Sequence, residues 1–569
     1  MKILGVRFGH DAAAALIVDG KIIASIEEER LTRIKHDASF PVKAIAECLR
    51  IGGLQSEDIE CLALPSIKIP EVFFRFFSIP NCPAEFREPT PTNLFRRSVP
   101  AQPGLPVMPL YYEPFRLSET CKIHLSGHHR AHAASAYYTS GLTEEGSLVI
   151  TMDGSGDDVS CAFWRGEGKK LTLLKSFGRN SSLGYFYSNC TEALGWRHGA
   201  NEWKLMGLAP YGEPSPGLLK GFHPEFNNGE LTVSREYGDF GRWNDHGANH
   251  YHGKDSLELK KFVDQIGTED FAAEAQRVVE EQGLRLLLPW LEKEGTRNLC
   301  CAGGFFLNVK FNQKLWYTEA LDNQWVYPDC GDSGLPVGAA LDACASMEPE
   351  RNYPRISNVY FGPEFSDSSI KETLDERGIT YVRSDDPASV AAQYLAKNLA
   401  VGWFQGRMEA GPRSLGHRSI LMSPLRKENK DLINAKVKYR EMFRPFCPSM
   451  LHELRDEYLI DSRDEEYMVT SFEVHDQKKD KIPAVVHEDG TARPQLVKKD
   501  VEPLYHSLIE AFYKLTGEGV VLNTSFNVRG EPVVCEPREA IRCFYDTGLD
   551  VLVLGNYIIT KPALDTSNV

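Results

Sequence analysis

The sequence predicts an α/β protein with a large N-terminal domain and a smaller C-terminal one, and three observations carry that prediction. At 569 residues the chain is longer than one hydrophobic core usually serves. Its first half repeats a pattern of apolar strands separated by small-residue turns. Beyond residue 356 a fresh alternation of strand and helix begins. Hydrophobic residues make up 42% of the chain, charged residues 25%, and mean hydropathy is -0.33, which describes a folded body rather than a disordered or membrane chain.

The N-terminus reads directly into a strand at residues 2–8, without a charged leader, long apolar core or small-residue cleavage site. No apolar run reaches membrane-spanning length. The 13 cysteines are odd in number and lack a CxxC pair, which fits a reducing cytosol, so a cytoplasmic protein is expected. The apolar residues 12–25 are broken by Asp19-Gly20, a hairpin turn, and residues 42–49 form a helix. The same order returns at residues 147–152, 159–164 and 170–177, three strands separated by the tight turns Asp153-Gly154-Ser155-Gly156 and Gly166-Glu167-Gly168.

Two copies of strand, turn, strand, turn, strand predict an internal duplication, a pair of related lobes facing a cleft. Glycine turns between strands let backbone amides approach phosphate, so such a cleft suits a nucleotide. Residues 62–117, rich in Pro, Phe and Arg, and residues 212–254, rich in Gly, Asn, His and Trp, interrupt the pattern and are predicted to shape an acceptor pocket. Residues 348–355 read as the linker between a domain of residues 1–350 and one of residues 356–569. In the second, residues 368–377 and 387–397 are helical and residues 400–404 form a strand.

His128-His129-Arg130-Ala131-His132 opens a run of strong helix formers. On a helix His128 and His132 share one face, which suits two imidazoles converging on one metal ion. Two such histidines taken alone are more often structural. Asp153 and Asp332 lie at turns where strands end, and two His plus a carboxylate leave coordination positions open for substrate oxygens. Asp332 taken alone reads equally as a helix cap. Gly303-Gly304, with Asn308 after them, follow a strand ending at Cys301 and would lie against adenosine or a phosphate. His10 ends the first strand, facing the same cleft, and is placed to take a proton from an acceptor hydroxyl. Lys35 and Lys204 are candidate contacts to nucleotide or acceptor.

The formal net charge of -15 argues against broad nucleic-acid binding, which depends on phosphate neutralisation. Between residues 407 and 444, however, ten Lys or Arg face four acids, and that inversion calls for an anionic ligand. Arg413 lies among Gly and Pro and Arg444 among Pro and aromatic residues; their forks bind phosphate oxygens bidentately, while Lys438 acts as a point charge. Arg426-Lys427 and Lys430 read as a solvated face. Arg493 follows a turn, and Asn523 and Ser525 end a strand with amide and hydroxyl groups.

Four motifs carry a family resemblance: Gly9-His10-Asp11-Ala12-Ala13-Ala14-Ala15-Leu16, Glu27-Glu28-Glu29-Arg30-Leu31-Thr32-Arg33-Ile34-Lys35-His36, His128-His129-Arg130-Ala131-His132-Ala133 and Lys204-Leu205-Met206-Gly207-Leu208-Ala209. In this order, and nearly end to end, the chain resembles the O-carbamoyltransferases of nodulation and antibiotic-biosynthesis type. The resemblance implies a duplicated N-terminal domain of actin and sugar-kinase type, similar to the transferase subunit of the tRNA threonylcarbamoyladenosine system. It implies a YrdC-like C-terminal domain, similar to the enzyme that makes threonylcarbamoyl-adenylate. It places iron, Fe(2+), on His128, His132 and Asp332 with Asp153 close by; residue chemistry leaves zinc and manganese open. It places carbamoyl phosphate and ATP, the latter with Mg(2+), on Arg413, Lys438, Arg444, Arg493, Asn523 and Ser525, with Arg413 and Lys438 catalytic.

The activity so implied is ATP-dependent formation of carbamoyl-adenylate, then transfer of the carbamoyl group, assisted by His10, to a hydroxyl of a small-molecule natural product or sugar. A homodimer is compatible with this reading; a membrane or nucleic-acid partner is not expected. Two other readings stand beside it. A small-molecule kinase or phosphohydrolase of actin fold explains the lobes but leaves the basic stretch without a task. A tRNA-modifying enzyme follows from the fold relatives, and the acidic balance counts against it.

Overall fold

The computed structural model describes residues 1–78, 82, 84–88, 115–243 and 249–561. Of the two stretches expected to shape an acceptor pocket, residues 79–81, 83, 89–114 and 244–248 lie outside the described residues. The chain divides into two compact units. One comprises Met1–Arg179, Glu294–Phe305 and Asn323–Ile356, the other Asn180–Lys293, Phe306–Asp322 and Ser357–Val569.

The first unit is built on two five-stranded sheets of identical topology. In one, Lys21–Glu27, Ala13–Val18 and Lys2–Arg7 form an antiparallel meander, and Cys61–Leu64 and Lys122–Leu125 extend it in parallel. In the other, Lys170–Gly178, Val159–Glu167 and Ser147–Gly156 form the meander, extended in parallel by Asn298–Ala302 and Asn323–Val326. The duplication legible in the strand pattern is therefore present in the fold, and it is the arrangement of the actin and sugar-kinase type. The inner strands are rich in Val, Ile, Leu and Ala and buried on both faces, as Leu148, Val149 and Ile150 are. The edge strand Lys170–Gly178 alternates instead, with Leu171 and Phe177 buried between exposed neighbours.

Each sheet is followed by a helix, His128–Thr139 and Leu335–Met347, and small residues let these pack closely. A side chain at Gly338 would run into the backbone oxygen of Ala131, and one at Gly5 into that of Pro336. The helix Leu335–Met347 thus lies hard against both the histidine helix and the first strand. One local expectation is corrected. Residues 153–156 are not a tight turn: the strand Ser147–Gly156 runs through them, and the reversal falls on Asp157 and Asp158, with φ of 50° and 62°.

The second unit carries an eight-stranded sheet in the order Val382–Arg383, Tyr557–Thr560, Val551–Leu554, Val401–Phe404, Arg418–Met422, Val520–Ser525, Cys447–Leu451, Gln495–Val497. Its pairings are mixed, antiparallel between Arg418–Met422 and Val520–Ser525 and parallel between Cys447–Leu451 and Gln495–Val497. Separate apolar clusters cover the sheet: one gathers Phe404, Ile420, Leu522 and Phe544, the other Trp403, Leu421, Val521 and Phe512. The helices Pro387–Ala396 and Pro503–Thr516 supply the second cluster, and both open with proline, whose fixed φ suits the first helical turn. Expected helices 368–377 and 387–397 and strand 400–404 correspond to Asp367–Glu376, Pro387–Ala396 and Val401–Phe404. No described helix is long and apolar enough to cross a membrane.

Candidate metal centre and anion site

In the first unit the helix His128–Thr139 projects two imidazoles from one face, as its spacing requires. His128 Nε2 and His132 Nε2 lie 3.3 and 3.2 Å from Asp153 Oδ2, and each lies 3.6 Å from Asp332 Oδ1. The four donor atoms fall within 4.8 Å of one another. Separations of this size are those of donors around a single ion with bonds of roughly 2 Å. His129 points the other way. Its ring nitrogens bond Thr151 Oγ1 and the carbonyl of Val159, both at 2.8 Å, and burial pushes its pKa down to about 3, so it pins helix to sheet as a neutral side chain.

Glycines make room for this cluster. A side chain at Gly156 would strike the ring of His128, and a Cβ at Gly304 would lie 3.1 Å from Asp153 Oδ1. Gly303 has φ of 103° and sits against the backbone of Met152. The Gly303-Gly304 pair, expected to face a ligand, is thus also what lets the Asp153 strand end come in close. His128 opens its helix with its own N–H bonded to Asp157 Oδ2 at 2.8 Å.

The charges within the cluster are mutually set. Burial works against ionised Asp153, but His128 and His132 hold its carboxyl well below the usual range. Burial likewise opposes ionised Asp332, and Arg7, His128 and His132 outweigh it and hold the group down. Burial lowers the pKa of His132, and hydrogen bonds to Asp153 and Asp332 more than reverse this, raising it to about 9. His132 Nδ1 finds no hydrogen-bond partner among the described residues. Two ionised carboxylates and two imidazoles on one point are the donor set of a divalent transition metal, and the residues fit one.

Arg7 was not singled out from sequence, yet its Nη2 donates to Asp332 Oδ2 at 2.8 Å. Its position as the charged last residue of the first strand was the available signal. His10 lies just beyond, with Nε2 3.2 Å from Asp11 Oδ2, and Lys35 is exposed on a loop that also carries His36.

The second unit gathers the basic residues. Lys438 is buried, and its Nζ donates to the carbonyl of Asn527 at 3.0 Å, to Asn527 Oδ1 at 2.6 Å and to Ser525 Oγ at 3.2 Å. Arg444 stacks over Trp203 at 3.7 Å and reaches Glu441 at 3.3 Å, while its Nε meets no acceptor among the described residues. Arg440 lies over Phe446 at 4.5 Å, with Nη2 likewise without an acceptor there. Arg493 donates to Cys447 Sγ from Nε at 3.1 Å and Nη2 at 2.8 Å. Burial, together with the neighbouring charges of Arg444 and Arg493, brings Arg440 down to about 9; burial chiefly brings Arg444 to about 10. Arg440 and Arg444 thus carry charge that their neighbours do not fully offset, and an anionic ligand would supply the balance.

The loop bearing Arg413 is shaped by one carboxylate. Glu409 Oε1 accepts the backbone N–H groups of Leu415 at 2.8 Å, His417 at 2.8 Å and Arg418 at 3.1 Å. Gly411 and Gly416 take the positive φ the turn needs, 92° and 101°. Asn523 Nδ2 holds this loop by donating to the carbonyl of Ser414 at 3.1 Å, and also meets Ser449 Oγ at 2.9 Å. Its buried Oδ1 has no donor among the described residues. Two cations of the 407–444 stretch have structural employment. Arg418, fully buried, donates to backbone carbonyls of Gln405 at 2.6 Å and Pro363 at 3.2 Å, and Arg407 donates to that of Phe361 at 2.8 Å.

Lys204 and Asn308 belong to this second unit rather than the one holding His128. Lys204 pairs with Glu441 at 3.1 Å beside Trp196 and Trp203, and Asn308 caps its helix by accepting the N–H of Phe311 at 3.0 Å. Asn527, Arg440 and Cys447 were missed; Asn527 stands two residues beyond Ser525, and Arg440 and Cys447 flank Arg444 in sequence, which was the signal to be had.

Residues 2–341 match the family described as carbamoyltransferase N-terminus, and residues 392–561 that described as carbamoyltransferase C-terminus. The chain belongs to the carbamoyltransferase family. The nodulation protein NolNO of Sinorhizobium fredii is 36% identical to this carbamoyltransferase over 97% of the chain and 79% of its own length. An uncharacterised protein of Synechocystis sp. is 34% identical over 99% of this carbamoyltransferase and 97% of itself. Among solved structures, HypF of T. kodakarensis aligns with a TM-score of 0.32 and 10% identity, covering 61% of this chain and 48% of that one.

Proposed function

We propose that this carbamoyltransferase uses carbamoyl phosphate and ATP to make carbamoyl-adenylate at the basic site, and transfers the carbamoyl group to a hydroxyl at the His-Asp site. The observation that carries the reading is the group of half-buried guanidinium groups Arg440, Arg444 and Arg493, the first two with N–H groups that meet no acceptor among the described residues, in the same unit as the amide Asn523 with its unmatched Oδ1. Carbamoyl phosphate and ATP repel each other, and bringing them together needs such a cluster. The unmatched Oδ1 of Asn523 suits the N–H of a carbamoyl group, so this reading accounts for the orphaned acceptor as well as the charge. A kinase of the same fold would leave both without purpose.

In the first step water cleaves carbamoyl phosphate to carbamate and phosphate. The carbamate oxygen then attacks the α-phosphorus of ATP, and pyrophosphate leaves. Arg413, Lys438, Arg444 and Arg493 bind the phosphates and offset charge that builds on them, with Mg(2+) accompanying ATP. In the second step the acceptor oxygen attacks the carbamoyl carbon as His10 takes the hydroxyl proton, and AMP departs. His128, His132, Asp153 and Asp332 would hold the metal, which supplies Lewis acidity toward a substrate oxygen when bound. Fe(2+) is the ion the family resemblance favours. The acceptor is a small hydroxyl compound, a natural product or sugar, and the reaction belongs in the cytoplasm.

Incubation with ATP and carbamoyl phosphate tests this. AMP and pyrophosphate that depend on carbamoyl phosphate are expected; ADP alone would mean a kinase, and turnover only with tRNA a tRNA-modifying enzyme. Arg413→Ala and Lys438→Ala should abolish adenylate formation. His128→Ala should spare it, and its loss there would overturn the division of labour.

A further inference from the structure

In the first unit two loops bring His10, Asp11 and His36 together. Asp11 shares its carboxylate between two imidazoles: His36 Nδ1 hydrogen-bonds Oδ1 at 2.9 Å, and His10 Nε2 lies 3.2 Å from Oδ2. The two rings stack with centroids 5.7 Å apart and planes 25° from parallel. The juxtaposition is built rather than incidental. Ala12 donates its backbone N–H to the carbonyl of Asp37 at 3.0 Å, which locks the loop after the first strand to the loop after Arg33. The N–H of His36 donates to Glu29 Oε2 at 2.7 Å, and Thr32 Oγ1 donates to Asp37 Oδ2 at 2.7 Å. Asp11 and His36 both take left-handed backbone, φ of 53° and 55°, which non-glycine residues adopt at a cost.

We propose that Asp11 and His36 are positioning residues for His10, so that the three act as one unit in the transfer step. This rests on the role given to His10 above. Asp11 holds the Nε2–H tautomer of His10, leaving the Nδ1 lone pair to accept the acceptor's hydroxyl proton. The acceptor oxygen bonds to the carbamoyl carbon, the bond from that carbon to the AMP oxygen breaks, and AMP leaves with the electron pair. The carboxylate stays ionised throughout and stabilises the imidazolium until the proton passes to solvent. His36, donating to the other carboxylate oxygen, fixes the plane in which Asp11 meets His10. The contact between His10 and Asp11 lies at ion-pair distance without hydrogen-bond alignment, and such contacts align when substrate is bound.

The same three side chains offer donor atoms within 4.8 Å of one another, so a second metal is the competing use, and the test separates the two. Protein labelled with 15N-histidine is examined by long-range 1H–15N correlation, with His10→Gln identifying the His10 signals. Wild type is expected to show His10 as the Nε2–H tautomer, and Asp11→Asn and His36→Ala to lose that preference. An unchanged His10 tautomer in both variants overturns the proposal. So does loss of one metal equivalent from His36→Ala, measured against wild type loaded with Fe(2+). The functional arm uses water as acceptor and follows AMP release from ATP and carbamoyl phosphate. His36→Ala should lower kcat about 10- to 100-fold, with little change in KM for carbamoyl phosphate. Carbamoyl-phosphate-dependent ATP–pyrophosphate exchange should continue in that variant, and His36→Asn, which keeps an N–H near the same place, should recover part of the rate. Absence of exchange in the wild type would strike the proposed function, while the tautomer measurement would still decide whether Asp11 governs His10.

Discussion

At the scale of single residues, the candidate metal centre depends as much on what surrounds the four donors as on the donors. Arg7 holds Asp332, and Gly156 leaves the space that the His128 ring fills. Partners of this kind orient ligands, and removing them typically lowers metal affinity about 10- to 100-fold. Arg7→Met and Gly156→Ala are therefore expected to weaken metal binding by about that factor while leaving the far-UV circular dichroism unchanged, as competition with a chelator would show. An unaltered affinity in both would mean that Asp332 and His128 are held by other contacts. The four candidate ligands, which converge in the fold, were legible because helical spacing and strand-end carboxylates are local signals. Arg7 and Gly156 were not, since a lone arginine and a glycine in a strand have many ordinary uses, and only the long-range fold shows what each one meets.

At the scale of elements, Glu192 does for the backbone at Gly241 and Gly253 what Glu409 does for the Arg413 loop. It is fully buried at the end of the helix Leu183–Ala193. It accepts the N–H of Gly241 at 2.8 Å, the hydroxyl of Ser256, the N–H of Gly253 and the ring of His198 at 2.9 Å. Burial opposes the charge, but these donors prevail and bring its pKa from the ordinary 4.5 down to about 2. Because the folded value is the lower one, this contribution to stability is complete above pH 4.5 and fades as the pH falls toward 2. Glu192→Gln should cost about 2 kcal/mol at neutral pH, since some of the donors lose their acceptor. Urea unfolding at pH 7 and pH 3 should then show a smaller difference between variant and wild type in acid. An equal difference at both would mean the carboxylate charge is not what holds Gly241 and Gly253 in place. Nothing in the sequence marks Glu192, because every group it binds except His198 lies about fifty residues or more away along the chain.

For the molecule as a whole, the strand repeat announced the duplicated sheets, and the inverted charge of residues 407–444 pointed to the candidate anion site proposed above. What local pattern could not show is that Asn180–Lys293 and Phe306–Asp322 group with the C-terminal residues, because that grouping rests on contacts such as Lys204 with Glu441 and Lys310 with Asp489. A charge count likewise could not separate Arg418, spent on backbone carbonyls, from Arg444, which retains an unmatched Nε. Two chemically different candidate sites on two compact units lead to a thermodynamic test that needs no acceptor. A ligand that binds only folded protein stabilises it by about 2.7 kcal/mol at a hundred times its Kd. For a unit of this size that is roughly 5–10 °C in the melting temperature of the transition it affects. Fe(2+), added anaerobically, should raise the melting temperature of wild type and Arg444→Ala but not of His128→Ala. Carbamoyl phosphate should raise that of wild type and His128→Ala but not of Arg444→Ala. If His128→Ala also abolished the shift caused by carbamoyl phosphate, that ligand would depend on the metal centre, and the assignment of the basic cluster as its binding site would fail.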